Sequence, residues 1–378
     1  MAFENLALQK VEEIKEIIIN DCSYNTISIL GGATSNIIFL HRYLQYRNDE
    51  IVSDALVDTI NYCIDSIENH KLLIADYSVL SGFLWTMKYL EVVDSENFAG
   101  VVSVDNFTKS KLVERVDSFI ENSTFDLFNG AIGITKYLDM AFPEDYHYKK
   151  LLNIDLCQFY ERGEEIILGM AHGIPSMISY LSNFPTKETY NYVNRLIEEI
   201  VLRSKRPENV TGISLYPDGT TLSKVNEYQS RVGWCYGDLS IALCLWKAGE
   251  AFNKNSWRNE AMTILLHTAT RREQPETLVV DAGLCHGSAG IAQIFRHFND
   301  RVNLKELNQT YNYWIDYTLH LAKYNDGAAG YKALVAQDKW EKDNGLLEGI
   351  AGIGLVLLDY VDKEAHSSLN WSSCLLID

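Results

Sequence analysis

Apolar runs opened by glycine alternate along this chain with stretches in which charged and apolar residues recur at helical spacing. The apolar runs open at Gly32, Gly82, Gly130, Gly173, Gly237, Gly287 and Gly349, at intervals of 50, 48, 43, 64, 50 and 62 residues. They are rich in small residues and apolar almost all round, as in Gly349-Ile-Ala-Gly-Ile-Gly-Leu-Val-Leu357, so each is predicted to be a buried helix. Between them lie amphipathic, charged segments at roughly 4–20, 51–69, 107–121, 147–162, 187–204, 256–272 and 304–324. In the first of these, Leu8, Val11, Ile14 and Ile18 share one face, with acids and lysines opposite. A repeat of about fifty residues, two helices to the unit, predicts an all-α fold.

Seven charged helices alternating with seven apolar ones predict an α/α toroid, a double α-barrel with the apolar helices inside. A linear solenoid is the alternative, but it needs polar capping repeats, and neither the first copy nor the last resembles one. The pattern runs through residues 1–378 without a composition shift, so a single domain is expected. Two connections are long, 205–233 and 325–345. Pro217-Asp218-Gly219 suggests a small hairpin at 211–224, and Asp326-Gly327 and Asn344-Gly345 mark turns. Such loops are either functional or surface excursions.

Composition narrows the function classes. The net charge of −18 opposes a nucleic-acid partner, which needs a basic face. No secretory signal is visible at Met1, and no stretch approaches the ~18 uncharged apolar residues of a membrane span. Seven scattered cysteines fit reduced thiols in the cytoplasm better than a disulfide framework. Cys22, Cys63, Cys157, Cys244 and Cys374 are read as ordinary core or surface residues.

Aligning the copies on the opening glycine gathers the reactive residues. Two positions before it stand Leu30, Leu80, Phe128, Ala171, Cys235, Cys285 and Leu347; one position before it stand Gly31, Ser81, Asn129, His172, Tyr236, His286 and Glu348. Around a closed axis these positions form rings at one end. Cys235 and Cys285 then come from neighbouring copies at one height, and with His286 they make a Cys₂His set, the ligand count of a catalytic zinc with a fourth position open. His172 has the register of His286, while Asp126 and Arg231 approach the same end from the preceding loops. Each has a plainer reading: His172 bonded to neighbouring carbonyls, Tyr236 packed, Asp126 a helix cap, Arg231 paired with a carboxylate.

Trp234-Cys-Tyr-Gly237, Cys285-His-Gly287, Gly169-Met-Ala-His-Gly-Ile-Pro175 and the sevenfold glycine-helix repeat together resemble the lanthipeptide cyclases, the LanC family, in its stand-alone form. The likeness covers essentially the whole chain. It implies one Zn²⁺ per chain on Cys235, Cys285 and His286, with His172, Asp126, Arg231 and Tyr236 as the other active-site residues. It also implies a substrate: a dehydrated precursor peptide with its leader, in which Cys thiols add to dehydroalanine or dehydrobutyrine to form thioether rings. A dehydratase and an export transporter are the implied partners, with a cytoplasmic location that is peripheral to the inner membrane face through that complex. Ser176 replaces a glycine frequent in the family, and with only 43 residues between the third and fourth copies the small inserted domain of some members is expected to be missing or vestigial. Two other classes weigh less. A prenylating enzyme needs a Lys/Arg-lined diphosphate cavity, and no basic cluster flanks the repeat starts. A helical binder with structural zinc needs a fourth ligand, and none occurs at the aligned registers.

Overall fold

The computed structural model describes residues 2–20, 24–69, 77–221, 227–336, 338–362 and 370–378; Cys22 and part of the 211–224 segment lie outside them. The helices that carry the repeat are α1 (Ala2–Asn20), α2 (Ala33–Tyr46), α3 (Glu50–Glu68), α4 (Tyr77–Val93), α5 (Asn106–Glu121), α6 (Ala131–Ala141), α7 (Leu156–Glu161), α8 (Ile174–Leu181), α9 (Lys187–Leu196), α10 (Asp238–Ala251), α11 (Asn255–Thr268), α12 (Ser288–Val302), α13 (Lys305–His320) and α14 (Ile350–Val361). Even-numbered helices are the apolar set, and odd-numbered ones are charged. α8 is buried throughout and α14 from Ile350 to Asp359, whereas α5 buries only Leu112, Val116 and Phe119. On α1 the buried stripe is Ala7, Val11, Ile14 and Ile18, one residue round from the expected Leu8. None of the described helices is long and apolar enough to cross a membrane.

The two sets begin differently, for a physical reason. A helix starts with unpaired amides that need acceptors. Three of the charged helices meet the need with side chains: Asp49 caps α3, Asp105 caps α5, and Thr186 with Thr189 forms a capping box on α9. Apolar helices start inside the protein, and there the preceding loop folds back to supply carbonyls. Ala33 donates to Thr26 O at 3.0 Å, Ala131 to Thr124 O at 3.0 Å, Ser288 to Asp281 O at 3.1 Å and Ile350 to Asp343 O at 3.0 Å, seven residues back in every case. The loop runs so close that a Cβ on Gly287 would lie 2.3 Å from the Gly283 nitrogen. That approach is why the repeat is punctuated by glycine.

Three elements depart from the sequence pattern. Gly82 lies inside α4, five residues after Tyr77, the first described residue of that helix. The helix expected at 147–162 is a 3₁₀ segment, His147–Asn153, followed by the short α7. The Ile154 carbonyl, between the two segments, accepts from the Tyr192 hydroxyl at 2.5 Å and so is drawn away from a helical amide. In the long loops, β1 (Ile166–Ile167) pairs antiparallel with β2 (Gly219–Thr220), so Gly219 pairs with a distant segment rather than within a local hairpin. The unforeseen hairpin is in the other loop, β3 (Ala333–Ala336) with β4 (Lys339–Glu341).

The chain forms two compact units, Met1–Val102 with Val280–Trp371, and Ser103–Val279 with Ser372–Asp378. In the first, α14 packs on α1, α2 and α12, so the last copy lies against the first. The Leu346 and Leu347 amides donate to Leu30 O at 2.9 and 3.1 Å, and Leu284 and Cys285 donate to Leu347 O at 2.6 and 3.0 Å. These bonds link sixth, seventh and first copies at the aligned register. In the second unit, α10 packs on α8 and α11, and α6 on α5 and α8. Segment 372–378 is buried there up to Ile377, and Leu375 O accepts the Trp234 indole N–H at 2.9 Å.

Candidate active site

In the second unit the loop Leu168–His172 is wedged between two others. The Gly237 amide donates to Leu168 O at 2.9 Å, and the Leu127 amide to Ala171 O at 3.4 Å. Met170 N donates to Ser240 Oγ at 3.2 Å, which itself donates to Trp234 O at 2.5 Å. Gly169 passes the Cys235 backbone so closely that a Cβ there would lie 1.9 Å from Cys235 O and 3.0 Å from the Tyr236 ring. Gly237 takes φ +72°, a left-handed conformation that favours glycine. Cys235 is thereby held 3% exposed, with Tyr236 half-buried after it.

The same wedge joins two expected site residues. His172 Nδ1 lies 2.5 Å from Asp126 Oδ2, and Asp126 Oδ1 accepts from the Phe128 and Asn129 amides at 2.7 and 2.8 Å. Asp126 therefore braces its own turn with one oxygen and holds the imidazole with the other. Burial pushes the Asp126 carboxyl up, but the His172 ring and the two amides outweigh it and keep it below its usual value. The hydrogen bond to Asp126 raises the His172 pKa against the opposing effect of burial, and the charges of Asp126 and Cys235 add to the rise. Phe128 sets its edge against the His172 ring at 6.5 Å and packs on Trp234 at 5.6 Å. Arg231 is half-buried, and its charge acts on the Asp218 carboxylate of the 205–233 loop.

Cys285 and His286 belong to the first unit, both half-buried at the start of α12. His286 is flanked by carboxylates: its Nε2 lies 3.7 Å from Asp281 Oδ2 and its Nδ1 3.5 Å from Glu348 Oε1. One ligand atom from each of these three residues lies within 4.8 Å of the others. Asp281 is itself fixed, accepting from the Leu334 amide of β3 at 3.2 Å. A carboxylate beside the imidazole is the usual companion of a metal-ligating histidine, since it fixes the ring and raises its basicity.

The family model described as "Lanthionine synthetase C-like protein" matches residues 23–376. The chain belongs to that family. Among solved structures, one described as "Nisin cyclase" superposes on this family member with a TM-score of 0.74 at 20% identity, covering 98% of this chain and 96% of that one. The likeness shows the fold, and the expectation of an all-α protein of the α/α-toroid class holds. No curated protein matches the sequence.

Sequence reasoning passed over two further groups in this lanthionine synthetase C-like chain. Asp281 stands six residues before its glycine, the register that singled out Arg231, so the same alignment contained the signal. The other is Asp238, fully buried at the first position of α10, which accepts from the Leu215 and Tyr216 amides at 3.0 and 2.8 Å and from Arg271 at 3.2 Å. Arg271 also donates to Ser230 O at 2.5 Å. Together they clamp the 205–233 loop to the helix that follows Cys235. An aspartate in an apolar helix was the available hint.

Proposed function

We propose that this protein is a zinc-dependent lanthipeptide cyclase. It adds Cys thiols of a dehydrated precursor peptide to dehydroalanine or dehydrobutyrine in the same peptide, closing lanthionine and methyllanthionine rings. The observation that carries this reading is the His172–Asp126 pair, set on the loop that buttresses Cys235 in a chain of this family.

One zinc ion per chain is proposed on Cys235, Cys285 and His286, residue types suited to that metal. A carboxylate beside each ring nitrogen of His286 supports the assignment, because one of them can orient the imidazole while the other nitrogen takes the metal. When bound, zinc would supply the Lewis acidity that keeps a peptide thiol deprotonated at neutral pH. The remaining work falls to the chain. Attack of sulfur at the β carbon moves an electron pair onto the α carbon and its carbonyl as an enolate. That enolate takes one proton at the α carbon. His172 is the proposed donor: Asp126 holds Nδ1 and keeps the ring protonated to higher pH, leaving Nε2 to exchange the proton. Arg231 and Tyr236 are proposed to orient the peptide. The thiol loses one proton and the α carbon gains one, so the product has the mass of the reactant.

The dehydrated precursor reaches this site with its leader attached, delivered in the cytoplasm by a dehydratase and passed on to an export transporter. Tandem mass spectrometry of such a precursor after incubation tests the reading. Backbone fragmentation suppressed across each Cys-to-dehydro-residue span is expected. A peptide that still fragments along its full length, or gains mass, would overturn it.

A further inference from the structure

The first unit contains a cleft of about 710 Å³ whose described lining, polar and apolar, includes neither Cys285 nor His286. It opens between the end of α1, the loop before α2 and the 325–345 loop, and its lining includes Glu16, Asn20, Tyr24, Asn36, Lys342 and Asp343. Two of these lack the partners that their burial calls for. Asn36 is 2% exposed; its Nδ2 donates to the Tyr24 hydroxyl at 3.4 Å, and its Oδ1 accepts no hydrogen bond from any of the described residues. Asp343 is half-buried and accepts from the Gly345 amide at 2.6 Å, yet no cation among the described residues pairs with it. A buried carbonyl oxygen and a partly desolvated carboxylate are both acceptors that a donor would stabilise.

The Asp343 carboxylate and the end of α1 both favour positive charge in the cleft. α1 ends beside it at Asn20, and the carbonyl end of a helix attracts cations. Glu16 and Lys342 also line the cleft but are exposed, and Glu16 is already paired with Lys15 at 2.9 Å. The net charge of −18 draws basic peptides towards the molecule as a whole.

We propose that this cleft is a subsite for a basic side chain, lysine or arginine, of the peptide substrate, whose cation is received by Asp343 and the Asn36 amide. The proposal rests on the reading of the protein as a peptide-modifying enzyme. It gives the precursor a second recognition point in addition to the ring-forming one, so that a basic residue in the precursor sets which stretch of peptide is presented.

The test is calorimetric, with two capped pentapeptides, Ala-Ala-Lys-Ala-Ala and the same peptide with norleucine for lysine. The wild type is expected to bind the lysine peptide about tenfold or more tightly, the worth of one hydrogen bond to a charged group. D343N keeps an oxygen to accept from the Gly345 amide while removing the charge, and is expected to abolish the difference. Equal binding of the two peptides by the wild type, or a lysine preference that survives D343N, would overturn the proposal. Should D343N fail to fold, the wild-type comparison alone decides. The probes contain neither thiol nor alkene, so a protein that prefers lysine here but closes no rings would keep the subsite and lose the cyclase reading.

Discussion

At the residue scale, the account turns on a proton held between two side chains. His172→Ala is expected to lower ring formation roughly 10²–10⁴-fold, the usual worth of general acid–base catalysis, while leaving zinc content unchanged. In deuterated water the wild type should place one deuterium on a single face of each new α carbon, and the variant should lose that preference. A variant that retains full rate and stereochemistry would make Tyr236 the donor to test. The pKa shifts carry a sign. His172 is raised above 6.5, so its share of stability is complete below that value and lost as pH rises through the folded pKa. Asp126 is lowered below 3.8, so its share is present above that value and lost as pH falls through the folded pKa. The pair should therefore contribute most between 3.8 and 6.5. Asp126→Asn should cost more stability at about pH 5 than at about pH 9. It should also shift the alkaline fall of the rate towards lower pH, because it removes the main cause of the raised His172 pKa. A fall that stays in place would separate Asp126 from the proton donor.

At the scale of elements, the loops before the helices carry the site, and their packing gives sharp expectations. Gly169→Ala puts a methyl 1.9 Å from Cys235 O and should cost about 3 kcal/mol, the upper range for overpacking. Gly31→Ala meets nothing within 4 Å and should be silent in thermal unfolding. Equal melting temperatures for the two variants would refute the wedge described for Leu168–His172. Asp238→Ala leaves Arg271 buried without its carboxylate and should cost about 3–5 kcal/mol, read by denaturant unfolding. The helices themselves were legible because their pattern is local: apolar spacing and an opening glycine mark twelve of fourteen closely, with only α4 and the 147–162 segment misplaced. What escaped the sequence depends on partners far along the chain. The Tyr192 hydroxyl takes the Ile154 carbonyl, Ile167 takes Gly219 as its strand partner, and Asp281 reaches the Leu334 amide fifty-three residues away. No local pattern encodes such pairings.

At the scale of the molecule, repeat register was the informative signal, because it placed Asp126 and His172 in one neighbourhood and put Cys285 beside Leu347 of the next copy. It did not reveal what each residue bonds. The proposed zinc should measure one per chain and be lost from Cys235→Ala, Cys285→Ala and His286→Ala; full retention in any variant removes that residue from the ligand set. The helices should outlast the metal, since their core is built from apolar repeats rather than around an ion. A circular dichroism spectrum that collapses on chelation would contradict this. The central claim, closure of thioether rings, is tested most directly by counting free thiols in a dehydrated precursor by alkylation, before and after incubation, alongside its intact mass. The account predicts that thiols disappear one per ring with no change in mass. Thiols that remain fully alkylatable, or that vanish with added mass, would contradict it.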